Sequence, residues 1–306
     1  MDIRAIGMGL AFAFFWSSAF TSARIIVTAA PPLTALTARY LLAGIIAIAL
    51  ARALGQHLPR DRRTWTAIVI FGICQNALYL GLNFVAMQWV EASVAAIIAS
   101  AMPLIVAFLG WVVLGDRPGP LALAGLVAGM AGVALIMATR IEGGAVGLGL
   151  ALCVIGALAL AVATLAVKGA SGSGNLVMVI GLQMLVGAVS VGLPALALER
   201  GAEIAWSSTL VLSFAYTTIF PGLVATWIWF LLVRRIGTVK ASAFHFLNPF
   251  IGVAVAAVLL GERLTLLDGI GVAIIAAGIL AVQLSKAPPR VAEAEAATAA
   301  PAMPRR

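Results

Sequence analysis

The sequence predicts an all-α integral membrane protein, with ten transmembrane helices arranged as two inverted five-helix repeats. Three observations carry that prediction. Charged residues make up only 10% of the chain, hydrophobic residues 63%, and mean hydropathy is +1.13. A soluble domain would carry about a quarter charged residues. Apolar runs of bilayer-spanning length recur along the whole chain, separated by short segments with charge, Pro or Gly. Finally, AAIIASAMPLIVAFLGWVVLGDR (Ala95 to Arg117) matches ASAFHFLNPFIGVAVAAVLLGER (Ala241 to Arg263). Pro103 pairs with Pro249, Leu114 with Leu260, Gly115 with Gly261, Asp116 with Glu262 and Arg117 with Arg263, all at one offset of 146 residues.

In chain order the expected spans are 4–27, 34–54, 65–87, 92–114, 119–139, 146–167, 175–198, 207–231, 238–260 and 265–284. Pro31-Pro32, Gly143-Gly144 and Ser171 to Gly174 mark turns between them. The first run resembles a signal peptide, but its length and the nine spans behind it predict an uncleaved helix. After Lys286 the sequence turns Ala/Pro/Glu-rich and loses its apolar period. Residues 1–142 are thus read as the first repeat, 143–286 as the second, and 287–306 as a disordered cytoplasmic tail.

Lysine and arginine set the orientation. With the N-terminus inside, the inner segments hold 14 of the 19 basic residues and the outer segments 4, with Arg39 inside a span. Both termini are therefore expected in the cytoplasm. The net charge of +8 reflects this bias and not a nucleic-acid partner. Five spans per copy is an odd number, so the second copy enters the membrane inverted. Gly125 and Gly132 match Gly271 and Gly278, while Arg39 aligns with Gln183 and Arg24 with Lys168 at an offset of 144. These glycines are expected to pack helices within a monomer. Inverted repeats are the architecture of alternating-access carriers, whose site lies near the midplane.

The paired LGDR and LGER ends after Pro103 and Pro249, FWSSAF (Phe15 to Phe20) and ARYLLAG (Ala38 to Gly44) carry a resemblance. In this order, over about residues 6–285, the chain resembles the EamA-type transporters of the drug/metabolite transporter superfamily. The resemblance implies a bacterial inner-membrane exporter of amino acids and related metabolites, aromatic ones included. The same family carries sugars, nucleotide-linked sugars and drugs, so the substrate is left open.

Polar residues inside spans are the site candidates, because hydrocarbon offers them no partner. Gly72, Asn76, Tyr79 and Asn83 follow one helical stripe of the third span, and Thr218, Gly222, Ala225 and Trp229 are their repeat equivalents. Helix-to-helix hydrogen bonding is the plainer use of such asparagines. Trp16, Trp227 and Trp229 would add an aromatic wall, and Ser17, Ser100, Thr164 and Gln183 further polar groups. His245 and Asn248 share a face of the ninth span, and His245 is its only imidazole. Pro103 and Pro249 should each free a carbonyl one turn earlier, making either paired hinges or packing kinks. Arg39 and Lys168 are read first as snorkelling anchors, with gate charge or carboxylate partner as the functional alternative.

All 11 acids fall in loops, span ends or tails. Proton-driven antiporters of cations commonly place a carboxylate at mid-membrane, as the small multidrug exporters of this superfamily do. Facilitated or weakly coupled transport is expected instead. No enzyme is expected either, since Ser17 and His245 lack an orienting carboxylate. Cys74 and Cys153 lack metal-ligand spacing and read as packing residues. No cofactor or metal is implied. The expected partners are a small-molecule substrate, amino acids first, and the lipid bilayer.

Overall fold

The computed structural model describes residues 3–114, 118–138, 144–166, 175–263 and 265–285. Among them every regular element is helical. Helix α1 runs Ile3–Ala29 and α2 Pro32–Ala53. Helix α3 (Arg62–Phe71) passes through a π-helical stretch, Gly72–Leu80, directly into α4 (Gly81–Ala86). Helix α5 (Ala92–Ser100) and α6 (Met102–Leu114) are separated by a break at Ala101, followed by α7 (Pro120–Ala138), α8 (Gly144–Ala166) and α9 (Leu176–Leu198). Helix α10 (Ser208–Thr217) enters a second π-helical stretch, Thr218–Val224, and then α11 (Ala225–Ser242). A 3₁₀ turn, Ala243–Leu247, leads to α12 (Asn248–Leu260) and α13 (Leu266–Leu284).

Eight of these helical segments are long and apolar enough to cross a membrane, and two shorter apolar helices follow them. The chain is a multi-pass, all-α membrane protein. One expected boundary is displaced. The turn predicted between 231 and 238 is helical, because α11 continues to Ser242. Its stretch Arg234-Arg235-Ile236 contains good helix formers and no proline to stop them. The interruption falls instead beside Pro249, leaving α12 with 13 residues. At 1.5 Å per residue that is roughly 20 Å, short of a full hydrocarbon crossing.

Two helix pairs tie the first part of the chain to the second. Helix α7 lies on α13 through facing glycines. A Cβ on Gly125 would sit 2.7 Å from the Gly278 carbonyl oxygen, and one on Gly278 would sit 2.5 Å from that of Gly125. Gly132 and Gly271 meet in the same way. Only backbones without side chains approach this closely.

Helix α2 lies on α9, and each end of the pair is capped by the other strand of the chain. The Glu199 carboxylate accepts from the Leu33 and Thr34 amides at 2.9 and 2.7 Å. Gln56 Oε1 accepts from the Met178 amide at 3.0 Å. Glu262, the acid of LGER, does likewise for α5, accepting from the Ala92 and Ser93 amides at 2.8 and 3.0 Å. Carboxylates here satisfy helix N-terminal amides that hydrocarbon would leave bare. The corresponding Gly115, Asp116 and Arg117, together with Lys168 and the 287–306 tail, lie outside the described residues.

Candidate functional site

The two π-helical stretches face a cavity beside the middle of α1. In a π-helix the hydrogen bonds run i→i+5, so the turn widens and the outward stripe shifts relative to an α-helix. That shift turns Gln75, Asn76, Tyr79 and Leu80 of the first stretch toward the cavity. The second stretch contributes Pro221 and Gly222, with Thr217 and Thr226 flanking it. Trp16, Ala19, Phe20 and Ala23 of α1, Arg39 of α2, Phe84 and Met184 complete the wall. The volume is about 40 Å³, room for water and too little for an amino acid.

Arg39 is the unexpected member. Helix α2 buries Leu36, Arg39, Tyr40, Ala43 and Ala47 as one stripe, so the guanidinium is carried inward and does not snorkel. The residue is 4% exposed. Its Nε donates to the Thr217 carbonyl at 3.2 Å, and its guanidinium carbon lies 5.4 Å from the Tyr40 ring centre. A Cβ on Gly222 would come within 3.3 Å of Arg39 Nη2, which explains the residue type at that position. Among the described residues no acid lines the cavity.

Around it several polar groups are engaged with one another. Asn76 Nδ2 donates to the Gln183 carbonyl at 2.9 Å, and Tyr40 Oη donates to the Asn76 carbonyl at 2.9 Å. Thr217 Oγ1 bonds the Ser213 carbonyl at 2.6 Å and Ser22 Oγ at 2.7 Å. Ser18 Oγ and Tyr216 Oη pair at 2.7 Å, holding α1 against α10.

Towards the α1 N-terminus an aromatic box closes the space. The His245 ring lies 5.1 Å from Phe12, 6.2 Å from Trp16 and 5.0 Å from Trp229, edge-on to each. Phe12 and Trp229 pack at 4.9 Å. His245 Nδ1 shares a 2.9 Å hydrogen bond with Asn248 Nδ2. Towards the other end of α1 lies a wider vestibule of about 630 Å³, lined by Val27, Leu33, Val85, Gln88, Glu199 and Ala205 among others. It begins one helical turn beyond the cavity, since Ala23 lines the one and Val27 the other. Between them the Arg24 guanidinium donates to the Met87 carbonyl.

The structure thus brings Trp16, Asn76, Tyr79 and Arg39 of the expected set onto one cavity. His245, Asn248 and Trp229 form the adjoining box. Trp227 does not belong: it is 48% exposed on the opposite side of α11, as two residues' separation on a helix requires. Asn83 bonds back to the Tyr79 carbonyl at 2.8 Å, and Ser100 to the Ala96 carbonyl at 2.6 Å, so both serve their own helices. Ser17 is fully buried against α12 near Gly252, and Gln183 is buried between helices; neither lines the cavity. Pro103 follows the α5–α6 break and Pro249 opens α12, so both stand at interruptions. The Thr164 side chain lies outside the described residues. Gln75, Thr217 and Thr226 were not expected. Gln75, adjacent to Asn76, is reached only once the π turn is known.

Comparison with known proteins gives this arrangement its context. The pattern of the EamA-like transporter family matches the chain twice, over residues 3–138 and 147–284. The chain belongs to that family. It is 24% identical over 253 residues to a Bacillus subtilis protein named uncharacterized transporter YvbV, covering 82% of each chain. It is 26% identical over 282 residues to the uncharacterized inner membrane transporter YedA of Escherichia coli K12, covering 91% of this chain and 90% of that one. A solved crystal structure matches with a TM-score of 0.67 at 19% identity, covering 93% of this chain and 98% of its counterpart, which supports the fold. This EamA-family chain is a transporter of small molecules.

Proposed function

We propose that this EamA-family protein is a secondary carrier that exports small metabolites, amino acids first among them, by alternating access. The observation that carries this reading is the cavity at the middle of α1. It is lined by polar and aromatic side chains from both family-matched segments and backed by two π-helical stretches. Irregular helix at membrane depth is tolerated where it lines a cavity.

The carrier consists of two inverted five-helix repeats, 1–142 and 143–286. The π stretches begin at Gly72 and Thr218, and the helix breaks fall at Ala101 and Leu247. Each pair is separated by the offset of the LGDR and LGER motifs. The caps on α2 and α9 are reciprocal between the segments, as an inverted pair would place them. The basic bias supports cytoplasmic termini, and the name of the YedA relative, an inner membrane transporter, supports a bacterial-type inner membrane. The aromatic box then closes the cytoplasmic side and the vestibule opens outside.

Among the described residues no acid lines the cavity, which favours facilitated or weakly coupled transport over a carboxylate proton relay. The protein works as a monomer, since the small-residue faces of α7 and α13 are used within one chain. Counterflow of radiolabelled amino acids in proteoliposomes, with and without a pH gradient, tests the reading. Saturable exchange is expected. Flux that fails to saturate and shows no counterflow across a broad metabolite panel would overturn it in favour of a channel.

A further inference from the structure

We propose that Arg39 anchors a carboxylate of the transported molecule, so that the cavity selects monocarboxylates, α-amino acids among them. This deepens the carrier reading and rests on it. Arginine stays protonated in proteins and presents five N–H donors. In Arg39 the Nε donor goes to the Thr217 carbonyl, while the guanidinium lies in the cavity wall. A buried cation without a counter-charge is costly, most of all inside a bilayer. Among the described residues of the wall none supplies that charge.

The neighbouring polar groups do not take its place. Tyr40 Oη and Asn76 Nδ2 are committed to carbonyls, and the Thr217 hydroxyl to Ser213 and Ser22. Gly222 lets the second π stretch approach the guanidinium closely, a Cβ there falling 3.3 Å from Nη2. What the site lacks is one negative charge with two acceptor oxygens, the shape a guanidinium fork receives from a carboxylate. Asn76, Gln75, Tyr79 and Trp16 stand on the same wall, residue types whose amide oxygens and rings suit an ammonium and an apolar side chain. The cavity must widen to admit the ligand, as the rocking of one repeat against the other would do.

The test uses the full chain with apolar and aromatic amino acids. Each is paired with its amide, its decarboxylated amine and its deaminated acid. Two readouts are taken: thermal stabilisation of the purified protein in detergent, and counterflow in proteoliposomes. Amino acids and deaminated acids should stabilise and exchange, while amides and amines should do neither. Arg39→Gln should weaken carboxylate binding about 10- to 100-fold, the worth of a charge-assisted hydrogen bond. Arg39→Lys, which keeps charge but loses the fork, should weaken it less. If Arg39→Gln fails to fold, the wild-type series and Arg39→Lys still decide. Amides or amines that exchange as readily as their acids would overturn the carboxylate anchor and leave the carrier standing. Carboxylate-dependent stabilisation without exchange would uphold the anchor and overturn the carrier. Absence of both for every carboxylate overturns the anchor.

Discussion

Asn76 and Asn83 stand on one predicted stripe, yet the structure gives them different work, and replacing each by alanine separates the two roles. Asn76 is 1% exposed and donates to the Gln183 carbonyl on α9 at 2.9 Å while lining the cavity. Asn76→Ala removes a second, interhelical hydrogen bond to a carbonyl that α9 also uses in its own ladder, costing about 0.5–1.5 kcal/mol. It also removes a polar group from the cavity wall. Asn83 is equally buried but donates to Tyr79 of its own helix at 2.8 Å. Losing such a local back-bond costs about 1 kcal/mol or less. Thermal unfolding in detergent and counterflow in proteoliposomes should be measured on both variants. Asn76→Ala should lose stability and exchange together; Asn83→Ala should keep near-normal exchange. If Asn83→Ala abolishes counterflow at unchanged stability while Asn76→Ala transports normally, the shift of the stripe by the π turn is wrong.

Trp229→Ala should impair exchange by removing a wall of the aromatic box, whereas Trp227→Ala, on the exposed side, should match wild type in the same counterflow assay. Gly278→Leu should lower thermal stability by about 1–3 kcal/mol or more, since its side chain meets the Gly125 carbonyl and Gly129 backbone. Glu262→Ala should cost about 0.5–2 kcal/mol and speed hydrogen exchange at the Ala92 and Ser93 amides, with slower amides than wild type arguing against the cap. At the α3 N-terminus, the Thr64 amide bond holds the Asp61 carboxyl below its ordinary range. Its folded pKa is depressed, so the cap is fully present above the unfolded value near 3.9 and is lost as pH falls through the lower folded value. Faster Thr64 exchange should therefore appear only in that acidic window, and Asp61→Asn should flatten the dependence.

The membrane class was readable because twenty apolar residues in a row have few other uses, and repeated prolines and LG[DE]R ends announced where helices break. Trp16, Asn76 and Tyr79 were legible as polar or aromatic intrusions into such runs. Gln75 was not, because π-helical hydrogen bonding leaves no residue pattern that distinguishes it from α-helix. Arg39 was misjudged for a different reason. Its heptad partners Leu36, Tyr40, Ala43 and Ala47 place it on the buried stripe, but its charge invites a surface reading. Trp227 shows the converse error: depth along a helix was counted and direction around it was not. The displaced α11 end arose from treating a basic pair as a loop where the residues themselves favour helix.

The caps on α2 and α5 also bear on how the chain is made. The amides of Leu33 and Thr34 find their acceptor at Glu199, and those of Ala92 and Ser93 at Glu262, 165 to 170 residues further along. At a synthesis rate of about 5–20 residues per second, each early helix waits roughly 10–30 s for the carboxylate that completes it. During that interval its N-terminus must be served by water, lipid headgroups or the insertion machinery. Helices α2 and α5 therefore leave the ribosome uncapped, and a chain truncated before Glu199 would be expected to engage quality control even with every helix inserted.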